Sequence, residues 1–191
     1  MFERIKQIIL APKTEWDVIA GENAPQSKVF MGYVLPLSLI TLVAAFIGYG
    51  LIGFSVLGTH FSSISWGIRQ AIVQWVVMVG GLYVTALVIN LFAETFGAKK
   101  NFDKAFSLVA YAYTPMLLAG IFYILPMLSF LVWVGGLYSL YLLYLGLKPM
   151  MEAPAQKITT YFVVSLIGMI VATGVISAIL TAIFLRVALG L

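Results

Sequence analysis

Five long apolar runs divide the chain, and each is long enough to cross a lipid bilayer. About twenty helical residues, rising about 1.5 Å each, span a hydrocarbon core of roughly 30 Å. Backbone N–H and C=O groups find no partner in hydrocarbon, so such runs fold as helices. The runs are Val29–Phe54, Ala71–Phe96, Ala105–Leu125, Met127–Leu147 and Thr159–Leu189. The sequence therefore predicts an all-α polytopic membrane protein built as a five-helix transmembrane bundle.

Charged residues are too few to cover a water-soluble domain of this size. They make up 9% of the 191 residues, whereas soluble domains have roughly 25%. Cysteine is absent, which excludes disulfides and thiolate metal sites. The single histidine, His60, lies between the first two runs without an obvious partner. We therefore expect no catalytic residue, no metal and no cofactor. We also expect no nucleic-acid partner, because the net charge of +4 forms no basic patch.

Basic residues gather at alternate connections between the runs. In a five-span arrangement, one side carries nearly all of them: Arg4, Lys6, Lys13, Lys28, Lys99, Lys100, Lys104, Lys148 and Lys157. The other side has only Arg69 and Arg186. Lysine and arginine are enriched in cytoplasmic loops. This pattern predicts a cytosolic N-terminus and an external C-terminus.

We divide the chain into two units. Residues 1–28 form an arm before the first span, and residues 29–191 form the transmembrane domain. Phe2, Ile5, Ile8 and Ile9 share one helical face, which predicts a short amphipathic helix lying in the membrane interface. We expect Pro12 to end this helix, Thr14 to cap the next one and Trp16 to lie at headgroup level. The arm either only orients the first span, or offers Phe2, Ile5, Ile9 and Trp16 to a cytosolic partner.

Span three contains a proline that should bend it. Pro115 removes one backbone hydrogen bond and clashes with the preceding turn, so a kink is expected there. The carbonyls freed near Tyr111 need partners, which Thr114 or a tyrosine hydroxyl could supply. No Asp, Glu, Lys or Arg lies in the middle of a span, which argues against proton-coupled or ion-coupled transport.

Tyrosines recur at spacing three in span four, at Tyr138, Tyr141 and Tyr144. They could form an aromatic belt at the membrane surface or pack against the kinked span three. The candidate polar cluster that could line a cavity or a helix contact is Asn90, Tyr111, Thr114, Pro115, Tyr138 and Tyr141.

Small residues recur at spacing four in span five. The candidate helix-packing positions are Gly168, Ala172, Gly174, Ala178 and Ala182. Small residues at this spacing let helix backbones approach closely. The contact could lie within the bundle or between protomers of a homo-oligomer.

The tyrosine-rich span three, the hairpin turn at Pro126 and the run Tyr141–Gly146 together resemble the Yip family over nearly the whole chain. Tyr111 and Pro115 match a Gly-Tyr-x-x-Leu-Pro motif of eukaryotic members, with Ala110 and Thr114 replacing the glycine and the leucine. The resemblance implies five spans and a cytosolic N-terminus. The short form is similar to bacterial members, which implies a bacterial cytoplasmic membrane. Eukaryotic members act in vesicle traffic with Rab GTPases, but their Asp-Leu-Tyr-Gly-Pro segment is absent here, so the Rab role is not carried over.

These features favour a non-enzymatic membrane protein that acts as a scaffold or adaptor. Its expected partners are the lipid bilayer, another copy of itself, and an unidentified membrane or cytosolic protein. The alternative is a transporter or channel for a small neutral or weakly polar solute. Five spans are few for a pore, so that alternative would require an oligomer.

Overall fold

Long helices account for most of the computed structural model, which describes residues 1–56 and 59–189, with side chains for residues 1–53 and 62–175. Two short helices come first, α1 (Phe2–Leu10) and α2 (Pro12–Gly21). The remaining helices are α3 (Gln26–Ile52), α4 (Ile64–Phe92), α5 (Phe102–Ala112), α6 (Thr114–Ala119), α7 (Phe130–Met151) and α8 (Ile158–Leu189). Short 3₁₀ turns lie at Glu94–Phe96, Gly120–Ile124, Pro126–Leu128 and Ala155–Lys157.

A two-stranded hairpin joins α3 to α4. Strands β1 (Phe54–Val56) and β2 (Thr59–Phe61) pair antiparallel, with Ser55 opposite His60. The side chain of His60 is outside the described residues. This short hairpin is the one β element within the described backbone, and it leaves the all-α architecture unchanged.

Four helices are long and apolar enough to cross a membrane, and a bent pair of helices makes a fifth crossing if the pair counts as one span. This confirms the predicted polytopic helical bundle. The predicted start of the second span at Ala71 was wrong by seven residues, because α4 already begins at Ile64. The serines and Arg69 before Ala71 lower the local hydropathy, but they do not prevent helix formation at the end of a span.

Span three is bent where the sequence predicted a kink. The helix Phe102–Ala112 and the helix Thr114–Ile124 meet at an angle of 44°. Thr114 Oγ1 donates to the carbonyl of Tyr111 at 2.6 Å, and Ser139 Oγ on α7 accepts from the N–H of Met116 at 3.3 Å. Side chains therefore satisfy the backbone groups that Pro115 frees, as membrane burial requires.

The connections that carry the basic residues lie together at one end of the bundle, which we call the basic end. The N–H of Lys99, after α4, donates to the carbonyl of Met151 at the end of α7 at 2.8 Å. Lys99 Nζ also lies 3.3 Å from the carboxylate of Glu152. The opposite end carries β1, β2 and the turns between α6 and α7, and we call it the hairpin end. The predicted grouping of the basic connections is confirmed.

Candidate functional site

The N-terminal arm, defined as α1 and α2, is folded back on itself by a charged contact. The Arg4 guanidinium donates to the carboxylates of Glu15 and Glu22. It also lies 5.5 Å from the centre of the Tyr111 ring, within cation–π range. Burial lowers the pKa of Arg4, but the bond to Glu22 and the charges of both carboxylates raise it above its usual value. The guanidinium therefore stays charged, and it joins both helices of the arm to α5.

The arm packs against the helices in the half of the bundle next to the basic end, which we call the basic half. Trp16 is 1% exposed, and Ile8 and Ile19 are buried with it. Trp16 is therefore buried among helices, and its depth at headgroup level stays a prediction. Gly146 of α7 explains the fit, because a Cβ atom at that position would lie 2.7 Å from the indole ring. The amphipathic pattern of the arm reflects packing against other helices of the chain.

Pro12 separates the two helices of the arm: α1 ends before it at Leu10, as the sequence predicted, and Ala11 is not helical. α2 begins at Pro12, so Pro12 is also the first residue of a helix. Proline is well suited to that position, because its missing N–H would have no helical partner there. Thr14 lies inside α2 and donates to the carbonyl of Ala11 at 3.0 Å, so the predicted cap at Thr14 was wrong.

Two residues at the start of α5 fix the end of the arm. Lys104 Nζ donates to the carbonyls of Ala20 and Glu22, each at 2.6 Å. A cation at the C-terminus of a helix satisfies its free carbonyls and complements its dipole. Asp103 accepts from the backbone N–H of Gln26 at 2.8 Å, where α3 begins. Hydrogen bonds to α5 thus hold both the end of α2 and the beginning of α3.

The predicted docking residues divide between the interior and the surface. Ile5 and Ile9 are partly buried against the core, and Trp16 is buried. Phe2 is 80% exposed. Leu10 at the end of α1 and Val18 on α2 are also exposed. Of the four residues proposed for docking, Phe2 alone lies fully on the surface in this arrangement.

The tyrosines of α7 have different environments. Tyr138 Oη donates to the carbonyl of Ile9 at 2.7 Å, so it binds the arm. Tyr141 stacks on Tyr138 with ring centres 5.8 Å apart and is exposed on its other side. Tyr144 Oη lies 3.3 Å from Thr159 Oγ1 on α8. The first tyrosine therefore packs within the bundle, and the other two lie near its surface.

The predicted polar cluster is present in part. Tyr33 Oη lies 2.7 Å from Thr114 Oγ1, and its ring meets Tyr111 edge-on at 4.8 Å between centres. Sequence analysis missed Tyr33, because the hydroxyl of a tyrosine in an apolar run gives no sign of a partner 81 residues away. Asn90 is separate, since its buried Oδ1 has no hydrogen-bond partner among the described residues.

A cavity of about 560 Å³ lies beyond the kink of span three. It is in the half of the bundle next to the hairpin end, which we call the hairpin half. α4 contributes Gln74, α8 contributes Met169, and the face of α7 from Ser129 to Leu140 forms much of the wall. Tyr49, Tyr113 and Tyr123 also line it. None of the six residues of the predicted polar cluster lines this cavity. Sequence analysis also missed Gln74.

The proposed packing positions of α8 also differ among themselves. A Cβ atom at Gly168 would lie 2.9 Å from Val88 and 3.0 Å from Phe92, so Gly168 contacts α4 closely. Gly174 has no neighbour within 4 Å of such an atom. Ala172 is partly exposed, and the side chains of Ala178 and Ala182 are outside the described residues. No group of three metal-binding side chains is found within the described part of the chain.

Comparison with known proteins places this architecture in a family. The Yip1 domain matches residues 6–178, which include all of α2 and extend into α8. The chain belongs to the Yip1 family. The inner membrane protein YohC of Escherichia coli K12 is 28% identical over 151 residues, which cover 76% of this chain and 77% of YohC. YohC of E. coli O6:H1 matches to the same extent, and no solved structure matches the chain.

The Yip1 assignment confirms the resemblance drawn from span three and from the run Tyr141–Gly146. In this Yip1-family protein, Pro115 lies at the bend, while Tyr111 contacts Arg4 and Tyr33. The match starts within α1, so most of the arm lies inside the Yip1 domain. The protein is an integral, multi-pass membrane protein of the Yip1 family.

Proposed function

We propose that this protein is a non-enzymatic scaffold or adaptor of a bacterial cytoplasmic membrane, with its basic end in the cytosol. The positive charge of the basic end supports the orientation. The inner-membrane location of YohC supports the choice of membrane. The arm would present its exposed apolar side chains to another membrane or cytosolic protein.

The observation that carries the proposal is the two-sided character of the arm. One side is buried, with Ile8, Trp16 and Ile19 in the core, and this side holds α1 and α2 in a fixed position. The other side leaves Phe2, Leu10 and Val18 exposed. A rigid surface with exposed apolar side chains loses little conformational entropy when it binds a partner.

Site-specific photo-crosslinking in native membranes tests the scaffold role. A photoreactive residue at Val18 should give a discrete adduct of higher mass, because Val18 is exposed. The same residue at Ile19 is the matched control and should crosslink only within the chain, because Ile19 is 1% exposed. Monomer alone at positions 2, 10 and 18 would contradict the scaffold proposal.

Transport of a neutral solute is the second candidate, and the cavity in the hairpin half is the observation that favours it. A transport path would also have to cross the basic half, where Trp16 and Leu108 are buried around Gly146. Flux of a neutral solute in liposomes that depends on the protein would favour transport. Crosslinked partners without flux would favour the scaffold.

A further inference from the structure

We infer that the cavity in the hairpin half is a binding site for a neutral amphipathic lipid with a hydroxyl or carbonyl group in its head. This inference does not depend on the scaffold proposal. The described residues that line the cavity include no charged side chain. A charged headgroup would therefore have no counter-ion in the cavity and would lose its hydration on entry.

The hydrogen-bonding groups in the cavity wall are not equally available. Tyr113 Oη lies 2.9 Å from Thr85 Oγ1 and 3.7 Å from the Met169 sulfur. Ser139 Oγ accepts the N–H of Met116. These two groups are engaged in holding the kinked span three against its neighbours.

Gln74 differs from these two groups, because its carboxamide lines the cavity without a hydrogen-bond partner among the described residues, as do the hydroxyls of Tyr123 and Ser129 nearer the hairpin end. At 1.5 Å per residue, Gln74 lies about 15 Å along α4 from Ile64, which places it deep in the span. A carboxamide without a partner at this depth is costly, because hydrocarbon offers no hydrogen bond. A hydroxyl or carbonyl group of a bound molecule would satisfy it.

The mouth of the cavity faces the hydrocarbon of the membrane. Trp133 and Leu137 belong to its wall, and they are 81% and 70% exposed at the surface of a membrane-spanning helix. A ligand would therefore enter sideways from the bilayer. Its apolar part would lie along Val132, Leu137 and Leu140, and its polar head would reach Gln74. The volume falls in the range of small-molecule sites, roughly 300–1,000 Å³.

The test uses a diazirine-bearing monoacylglycerol as the probe and the full-length protein in liposomes. Irradiation should label residues of the cavity wall, and unlabelled monoacylglycerol should compete. The same chain as a free fatty acid at pH 9, where its carboxyl group is ionised in the bilayer, should compete at least tenfold less well. Equal competition by the two compounds would overturn the inference, because it would mean that the site does not select a neutral head.

Two variants separate the site from ordinary lipid contact. Gln74→Leu should lower the affinity for the probe about tenfold, as the loss of one buried hydrogen bond predicts. Gln70→Leu, one helical turn away and outside the cavity wall, is the matched control and should bind as the wild type does. Gly136→Leu should block labelling, because Gly136 faces the cavity with no atom within 4 Å of an added Cβ.

Three outcomes would contradict the site. One is unchanged affinity in Gln74→Leu, which would mean that the carboxamide does not contact the head. Another is even labelling of exposed residues outside the cavity wall, such as Leu87 and Leu91, which would indicate bulk lipid. The third is absence of any saturable labelling, which would mean that the cavity holds only water. Gln74→Leu alone decides the question if Gly136→Leu does not fold.

Discussion

The two halves of the bundle are packed in opposite ways. In the basic half, α1 and α2 fill the space between the spans, and a buried tryptophan lies directly against Gly146. In the hairpin half, the described residues include no such inserted element, and a cavity of about 560 Å³ remains between α4, α7 and α8. Charges hold the filled half together, whereas the described lining of the cavity carries only uncharged polar groups such as Gln74. The difference shows that the arm is a structural part of one half.

Two glycines on α7 give the sharpest test of this difference. We expect Gly146→Leu to lower the free energy of unfolding by about 3 kcal/mol, because overpacking a filled core costs about that much. Gly136→Leu, ten residues earlier on the same helix, should change it by less than about 0.5 kcal/mol, because open space receives the side chain. Thermal unfolding in detergent measures both, and equal effects would mean that the halves are packed alike.

The next largest effect should come from Arg4. We expect Arg4→Ala to lower the free energy of unfolding by about 2 kcal/mol, because it removes two charge-assisted hydrogen bonds and leaves Glu15 and Glu22 facing each other. Lys6→Ala removes the same charge from an exposed position on α1 and is the control. Hydrogen exchange should increase over α1 and α2 only in Arg4→Ala. Equal exchange in the two variants would exclude the charged contact as the support of the arm.

The smallest expected effect concerns one hydroxyl group. Tyr138→Phe should lower the free energy of unfolding by about 1 kcal/mol, because the carbonyl of Ile9 loses its donor. Tyr141→Phe should have no measurable effect, since its hydroxyl has no hydrogen-bond partner among the described residues. Thermal unfolding of the two variants side by side measures the contribution of this contact. No difference between them would show that the tyrosine contributes only by packing.

Much of this fold was predictable because hydrocarbon imposes simple requirements. The apolar runs revealed the spans, Pro115 revealed the bend, and the alternating lysines and arginines revealed which connections share an end. The hydroxyl of Thr114 was also predictable, because a freed carbonyl needs a nearby donor. Each of these features depends on residues close together in the sequence or on a rule that applies to the whole chain.

The arm and the cavity were not predictable from the same rules. An amphipathic helix can lie on a membrane or against other helices, and the sequence of the arm does not distinguish these cases. The burial of Trp16 depends on Gly146, which lies 130 residues later, and Arg4 selects partners on a different helix. Gln74 gave no signal, because a single amide in an apolar run can equally bond within its own helix.

Cysteine accessibility on α2 tests the central claim most directly, namely that the arm is packed inside the basic half. The chain has no cysteine, so Asp17→Cys and Ile19→Cys each introduce a single reactive thiol. The reagent would be a water-soluble maleimide applied to membranes permeabilised on both sides. We predict rapid labelling at position 17, and labelling at position 19 only after denaturation, because Asp17 is exposed and Ile19 is buried. Equal rapid labelling at both positions in folded protein would contradict the account.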